Sequence, residues 1–256
     1  MFNSNSEALK AGVASKQYPQ HLYRFRQLDD NFNGILENNA MWFSNPNGFN
    51  DPFDCKVNLE DEYEKEYVIS WLQKNGMSLA YATHHQSILS KEEWKRIVES
   101  RLESVMANSY ICCFAEEKEN LLMWSHYTGS HQGVCLKFDI TVDPDFFITP
   151  VRVNYTEIYP KENYIKDSGK TIMSILTSKS IHWKYEKEIR VVKPVAEENK
   201  FFFKKEALVE IIFGCKTELS KIEEIKNLAQ ECGYHHLKFS KAELDSNEYK
   251  LNFKTI

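Results

Sequence analysis

Several features that would point directly to a function are missing from this 256-residue chain. No apolar run approaches the roughly 20 residues that span a bilayer. The first residues, Met-Phe-Asn-Ser-Asn-Ser-Glu, lack the basic head and apolar core of a secretory signal. No G-x-G-x-x-G or G-x-x-x-x-G-K-[ST] sequence occurs, so neither a dinucleotide fingerprint nor a P-loop is supported. We therefore expect a cytoplasmic protein with no membrane partner.

Cysteine and histidine are present, but not at the spacing that metal ligation requires. Six cysteines are scattered along the chain, most of them in apolar stretches, which is typical of reduced core thiols. The paired histidines and Cys112-Cys113 fall short of a four-ligand pattern, so we predict no metal site. A Ser or Cys nucleophile stays open, although no G-x-S-x-G elbow occurs. The net charge of −5 argues against a general nucleic-acid coat.

The order of periodic segments predicts an α+β fold with a mainly antiparallel sheet, in a single domain over residues 1–256. Residues 1–19 are expected to form an N-terminal arm or a short helix, and residues 59–107 a helical insertion. Capping boxes are predicted at Ser90 with Glu93 and at Ser220 with Glu223. Strands are predicted at 21–26, 40–44, 110–114, 132–139, 146–155, 183–192, 206–213 and 248–253. Helices are predicted at 33–38, 121–127, 168–180 and around 222–232, the last ending at Gly233.

The stretch from Trp183 to Val192 holds two carboxylates that are two residues apart in a predicted strand. Glu186 and Glu188 would then project from one face, with their Cα atoms roughly 6.6–6.8 Å apart. Such pairs often serve chemistry that needs one ionised carboxylate and one that exchanges a proton. The alternative is a solvated edge strand of alternating charge, which would end at Pro194.

Four segments combine aromatic and polar residues: Leu22–Phe25, Trp42–Asp54, Leu122–Tyr127 and Trp183–Arg190. They read Leu-Tyr-Arg-Phe, Trp-Phe-Ser-Asn-Pro followed by Phe-Asn-Asp-Pro-Phe-Asp, Leu-Met-Trp-Ser-His-Tyr, and Trp-x-Tyr-Glu-x-Glu-x-Arg. Together they resemble a widespread bacterial family of unknown function, from about residue 21 to Gly214. That resemblance carries no activity.

A second resemblance is to ADP-ribosyltransferases of the Arg-Ser-Glu type, which carry an Arg, a Ser and a Glu-x-Glu pair in this order. Here Arg24, Ser44 and Glu186/Glu188 follow the same order, although the Ser-Thr-Ser triplet of that family is reduced to Ser44. The resemblance implies an ADP-ribosyltransferase-like sheet, with NAD as the substrate.

The chemistry of NAD cleavage suggests a role for each residue type. Glu188 would stabilise the oxocarbenium-like ribosyl cation, and Glu186 would accept the proton of the attacking nucleophile. Arg24 would clamp the pyrophosphate or the adenosine side, and Ser44 would orient Glu188. The rings of Tyr23, Trp42 or Tyr127 could stack against nicotinamide. His126 could carry a proton or orient the target. Asp51 could set the pose of Arg24.

Each of these residues also has a structural interpretation. Arg24 could pair with Glu188 or Asp51 as a buried ion pair. Ser44 could cap a backbone group, and Asn50-Asp51-Pro52 could form an Asx turn. The tryptophans are core candidates, and His126 could be a satisfied structural histidine.

Three functions follow from these alternatives. The first is an NAD-dependent ADP-ribosyltransferase-like enzyme, which the resemblance associates with bacterial toxins and antiviral defence. Its acceptor would be a protein or a nucleic acid, and a neutralising or regulatory protein partner is implied as well. The second is a non-catalytic sensor or partner-binding module with structural aromatic segments. The third is a carboxylate-dependent hydrolase or nuclease.

Overall fold

The computed structural model describes residues 4–60, 62–193 and 199–256. Its helices are Asn5–Ala14 (α1), Asp30–Asn38 (α2), Lys65–Lys74 (α3), Leu79–Ile88 (α4), Lys91–Ala107 (α5), Leu121–Tyr127 (α6), Ser168–Thr177 (α7) and Leu219–Glu231 (α8). Short 3-10 turns cover Pro46–Gly48, Ile181–Glu186 and Lys205–Ala207.

The strands are distributed among the helices along the chain. They are His21–Arg26 (β1), Ala40–Trp42 (β2), Asn58–Leu59 (β3), Tyr110–Ala115 (β4), Val134–Asp139 (β5), Val151–Arg152 (β6), Asn154–Thr156 (β7), Lys161–Glu162 (β8), Ser178–Ser180 (β9), Glu188–Lys193 (β10), Lys200–Phe202 (β11), Leu208–Phe213 (β12), Lys238–Leu244 (β13) and Leu251–Thr255 (β14).

An eight-stranded sheet runs in the order β14-β13-β12-β5-β1-β4-β10-β6. Strand β1 is antiparallel to both of its neighbours, with Tyr23 opposite Ala115 on β4 and Arg24 opposite Leu136 on β5. The pair β12–β13 is parallel, and α8 makes the crossover between these two strands. The mixed elements and the mostly antiparallel sheet confirm the predicted α+β class.

The chain divides into two compact units. The first comprises Met1–Phe43, Ile111–Arg152 and Lys184–Ile256, and it contains the eight-stranded sheet. The second comprises Ser44–Tyr110 and Val153–Trp183, and it contains the helices of the predicted insertion, α3 to α5. The single domain expected over residues 1–256 stays a prediction.

In the first unit, aromatic residues fill both sides of the sheet. On one side, Phe25 meets Trp124 edge to face, with ring centroids 5.3 Å apart. On the other side, the rings of Phe114 and Phe138 lie 5.9 Å apart and both contact Phe147. Because successive strand residues point to opposite faces, β1 contributes alternate side chains to the two layers.

Local sequence signals set several boundaries correctly. Strand β1 has the predicted bounds, and the Ser90–Glu93 capping box is formed at the start of α5. Gly233 follows α8 with φ +82°, a left-handed conformation that glycine adopts without strain. All six cysteines are thiols. Residues 5–14 of the expected arm form α1; residues 1–3 and Pro194 lie outside the described residues.

Other predictions of secondary structure were wrong. The capping box at Ser220 with Glu223 is not the start of α8, because the helix begins at Leu219 after Glu218. The helix predicted over 168–180 ends at Thr177, where β9 begins. The segment 146–155 includes strand only from Val151, and the last strand starts at Leu251. Strand β13 was not predicted, since Lys238–Leu244 lacks a clear apolar alternation.

Candidate functional site

The eight predicted site residues divide between the two units. The second unit holds Ser44 and Asp51, and the first unit holds the others: Tyr23, Arg24, His126, Tyr127, Glu186 and Glu188.

In the second unit, Asp51 has a clear structural role. Its Oδ1 accepts a hydrogen bond from the backbone N–H of Phe53 at 2.9 Å, which confirms the predicted Asx turn. Ser44 is half-buried shortly after β2. The binding roles suggested for these two residues stay predictions.

Helix α6 and the 3-10 turn before β10 meet through two side-chain pairs. The hydroxyl of Tyr127 donates to Oε1 of Glu186 at 2.5 Å. Nδ1 of His126 lies 3.1 Å from the hydroxyl of Tyr185. Tyr23, Tyr127 and Tyr185 also pack against the core around Phe25 and Trp124. We call Tyr23, His126, Tyr127, Tyr185 and Glu186 the aromatic–carboxylate cluster.

Asn120 joins the two elements that carry this cluster. Its Oδ1 accepts hydrogen bonds from the backbone N–H groups of Leu122 and Met123, so it caps the start of α6. Its Nδ2 donates to the backbone carbonyl of Tyr185 at 2.7 Å. One amide side chain therefore fixes the beginning of α6 against the turn that presents Glu186.

The carboxylates of Glu186 and Glu188 do not share a strand face, so that prediction was wrong. Glu186 ends the 3-10 turn, and β10 begins only at Glu188. Between them, Lys187 has φ +44°, in the left-handed region. The two-residue strand repeat that would align the side chains is therefore absent. The solvated edge strand is wrong as well, because Glu186 and Glu188 are only 4% and 5% exposed and β10 lies between β4 and β6.

Glu188 has a cationic partner on its own strand. Nε of Arg190 donates to Oε1 of Glu188 at 2.7 Å, and its NH2 group lies 3.4 Å from Oε2. The Arg190 side chain is fully buried. The buried carboxylate and the buried guanidinium therefore make a two-point contact.

Tyr23 and Arg24 contact opposite sides of the sheet. Tyr23 packs against Phe25 and Trp124, on the same side of the sheet as Tyr127 and Tyr185. Arg24 donates from NH1 to the Cys113 carbonyl at 2.6 Å, and its guanidinium lies 5.8 Å from the centroid of the Phe114 ring. In the part of the chain that the structure describes, its contacts are a carbonyl and a ring rather than the carboxylate that an ion pair would need. The cluster thus includes Tyr23 and not Arg24.

Burial keeps the Tyr23 phenol protonated over a wide pH range. Its pKa is raised from 10.0 to about 12, first by burial and next by the negative charge of Glu119. The raised pKa belongs to the folded state. The protonated Tyr23 phenol therefore contributes to the stability of the fold below pH 10.0, and this contribution to stability is lost as the pH rises towards 12.

An alkaline absorbance titration should show this shift. We expect the difference between wild type and Tyr23→Phe to contain one phenol with a midpoint near 12 in the native state. A difference curve with its midpoint at the ordinary pKa of 10.0 would contradict the buried environment of Tyr23.

Three residues of this region had no site role predicted from the sequence: Asn120, Tyr185 and Arg190. For Arg190 a usable signal existed, because a residue two positions after Glu188 on one strand lies on the same face. For Asn120 and Tyr185 the partners come from distant parts of the chain, so only the tertiary structure connects them.

Within the described ranges, no three His, Cys, Asp or Glu side chains are grouped as metal ligands. Among these same residues, no helix combines the length and hydropathy needed to cross a membrane.

The fold and site define an α+β protein with a mostly antiparallel sheet and a buried carboxylate held by an aromatic cluster. Residues 123–191 match the model of the family described as "Protein of unknown function (DUF2971)". The match covers α6 from Met123 onwards and the Glu186–Arg190 region, and it confirms the expected resemblance to a family of unknown function over residues 123–191. Comparisons with curated proteins and with solved structures found no match. The resemblance to ADP-ribosyltransferases gains no support from them and stays a prediction.

Proposed function

We propose that this protein is an NAD-dependent ADP-ribosyltransferase-like enzyme whose reacting centre is the aromatic–carboxylate cluster. The observation that carries the proposal is the buried Glu186 carboxylate, 2.5 Å from the Tyr127 hydroxyl. A hydrogen bond of this kind fixes the direction of the carboxylate, as a general base requires before its substrate arrives. The neighbouring phenol and imidazole rings offer flat surfaces for a planar base such as nicotinamide.

The reaction would break the bond between the ribose C1′ and the nicotinamide nitrogen. Nicotinamide leaves with the bonding electron pair, and positive charge develops on the ribosyl group. The acceptor nucleophile then bonds to C1′ and loses its proton to Glu186. Glu188, which contacts Arg190, would supply negative charge that stabilises the ribosyl cation.

The remaining parts of the proposal come from the resemblance. The acceptor would be a protein or a nucleic acid in the bacterial cytoplasm. A toxin or antiviral effector of this kind would be held in check by a regulatory or neutralising protein. Ser44 and Asp51, in the second unit, and the pyrophosphate contact of Arg24 are not needed for the centre proposed here.

Incubation of the purified protein with NAD and measurement of released nicotinamide tests the proposal. We expect release that depends on the protein and increases when cell extract supplies acceptors. If wild type releases no nicotinamide with extract present, the proposed activity is wrong.

A second candidate is a non-catalytic partner-binding module, and the buried pair of Glu188 with Arg190 favours it. Neither side chain is more than 4% exposed, and such pairs often serve the fold alone. For this candidate, NAD would be neither cleaved nor bound, and both carboxylate variants would affect stability only.

A further inference from the structure

The two arginines of β1 form a concentration of positive charge that the cluster does not use. Arg24 and Arg26 are two residues apart on β1, so their side chains leave the same face of the sheet, with Cα atoms roughly 6.6–6.8 Å apart. This is the face opposite Tyr23 and Phe25. Both arginines are half-buried, so solvent still reaches part of each side chain.

Their hydrogen-bonding capacity is not filled by the described residues. Nε of Arg24 and Nε of Arg26 are both buried, and neither has a hydrogen-bond partner among residues 4–60, 62–193 and 199–256. A guanidinium carries five N–H donors, and a buried donor without a partner costs free energy. NH1 of Arg24 does bind the carbonyl of Cys113, which anchors that side chain.

The surroundings do little to balance the two charges. On the neighbouring strand β4, Phe114 and Cys112 are neutral, and burial raises the pKa of the Cys112 thiol, which keeps it uncharged. Burial and then the charge of Arg24 lower the pKa of Arg26, whereas Asp29 acts in the opposite direction. Oδ1 of Asp29 is already bound by the N–H of Phe32 at 2.8 Å, where it caps α2.

Two adjacent positive charges with buried, unused donors match a doubly charged oxyanion. A phosphate ester carries about −1.5 to −2 charges at neutral pH and three acceptor oxygens. Guanidinium groups bind such oxygens in a two-point geometry. A carboxylate would balance only one of the two charges.

We propose that Arg24 and Arg26 form a binding site for a phosphate group on the face of the sheet opposite the aromatic–carboxylate cluster. The site stands apart from the proposed NAD-cleaving centre and does not depend on it. Its ligand is inorganic phosphate or the phosphate of a small monoester.

Calorimetric titration of the full chain tests this site, with inorganic phosphate in one series and AMP in the other, at constant ionic strength set with chloride. We expect wild type to bind at least one of them, and binding of AMP alone would identify a monoester as the ligand. Arg26→Gln and Arg24→Gln should each weaken binding by about tenfold, since each removes a charge-assisted contact. The matched control Arg96→Gln, on the exposed surface of α5, should bind as wild type does.

Thermal melting in chloride without phosphate separates this role from a purely structural one. Arg26→Gln should melt at or above the wild-type temperature, because it removes one of two neighbouring like charges. Added phosphate should raise the melting temperature of wild type and of Arg96→Gln, and it should raise that of Arg26→Gln by less. The inference is overturned if wild type binds neither probe, or if Arg26→Gln binds as tightly as wild type. Nicotinamide release is read separately, so a failed NAD assay with intact phosphate binding rejects only the proposed activity.

Discussion

Replacing Glu186 by glutamine is expected to reduce nicotinamide release by about 100- to 10,000-fold, the range that a positioned general base contributes. Glutamine keeps the shape of the side chain, but its amide cannot take the proton of the acceptor nucleophile. Tyr127 would still find an amide oxygen as acceptor, so the contact between α6 and the 3-10 turn should be kept. Initial rates of nicotinamide release at saturating NAD measure the effect.

Two further variants make this result interpretable. Tyr127→Phe removes the donor that directs Glu186, so we expect a smaller loss of rate than in Glu186→Gln. Glu99→Gln changes an exposed carboxylate on α5 and should release nicotinamide as wild type does. If Glu186→Gln is as active as wild type while its melting temperature is unchanged, Glu186 is not the base.

Replacing Glu188 by glutamine is expected to destabilise the fold by about 3–5 kcal/mol, the usual cost of breaking a buried ion pair from one side. The variant removes the carboxylate that lies 2.7 Å from Nε of the fully buried Arg190 guanidinium. Because the guanidinium is fully buried, water cannot replace the lost charge–charge contact. Urea denaturation followed by circular dichroism measures the change in the free energy of unfolding.

The chain offers a matched control for this experiment in the more exposed pair of Arg152 with Glu116, whose side chains are 48% and 29% exposed. Because solvent screens such a pair, Glu116→Gln should change stability by no more than about 1 kcal/mol. If Glu188→Gln and Glu116→Gln lower the free energy of unfolding equally, burial does not make the Glu188 ion pair more important for stability than the Glu116 pair. If folded Glu188→Gln releases nicotinamide at the wild-type rate, Glu188 serves the fold alone.

Local patterns in the sequence were sufficient for β1 and α6, but not for the 3-10 turn that carries Glu186. The apolar–basic alternation of β1 gave its bounds and placed Arg24 and Arg26 on one face, because a strand repeats every two residues. The short helix α6 and the capping box of α5 were likewise readable, since caps and helical spacing involve residues three or four positions apart. The α+β class followed from the mixture of these elements.

The partners of the two carboxylates were decided by the tertiary structure. Tyr127 and Glu186 are 59 residues apart in the chain, and only the packing of α6 against the 3-10 turn brings them to 2.5 Å. The left-handed conformation of Lys187 breaks the strand repeat that the sequence suggests, and this sends Glu186 and Glu188 to different partners. The sequence by itself determined that two glutamates, an Arg and several aromatic rings are available. Which of them meet was decided by long-range packing, because a residue's local pattern does not specify the distant side chain that will cover it.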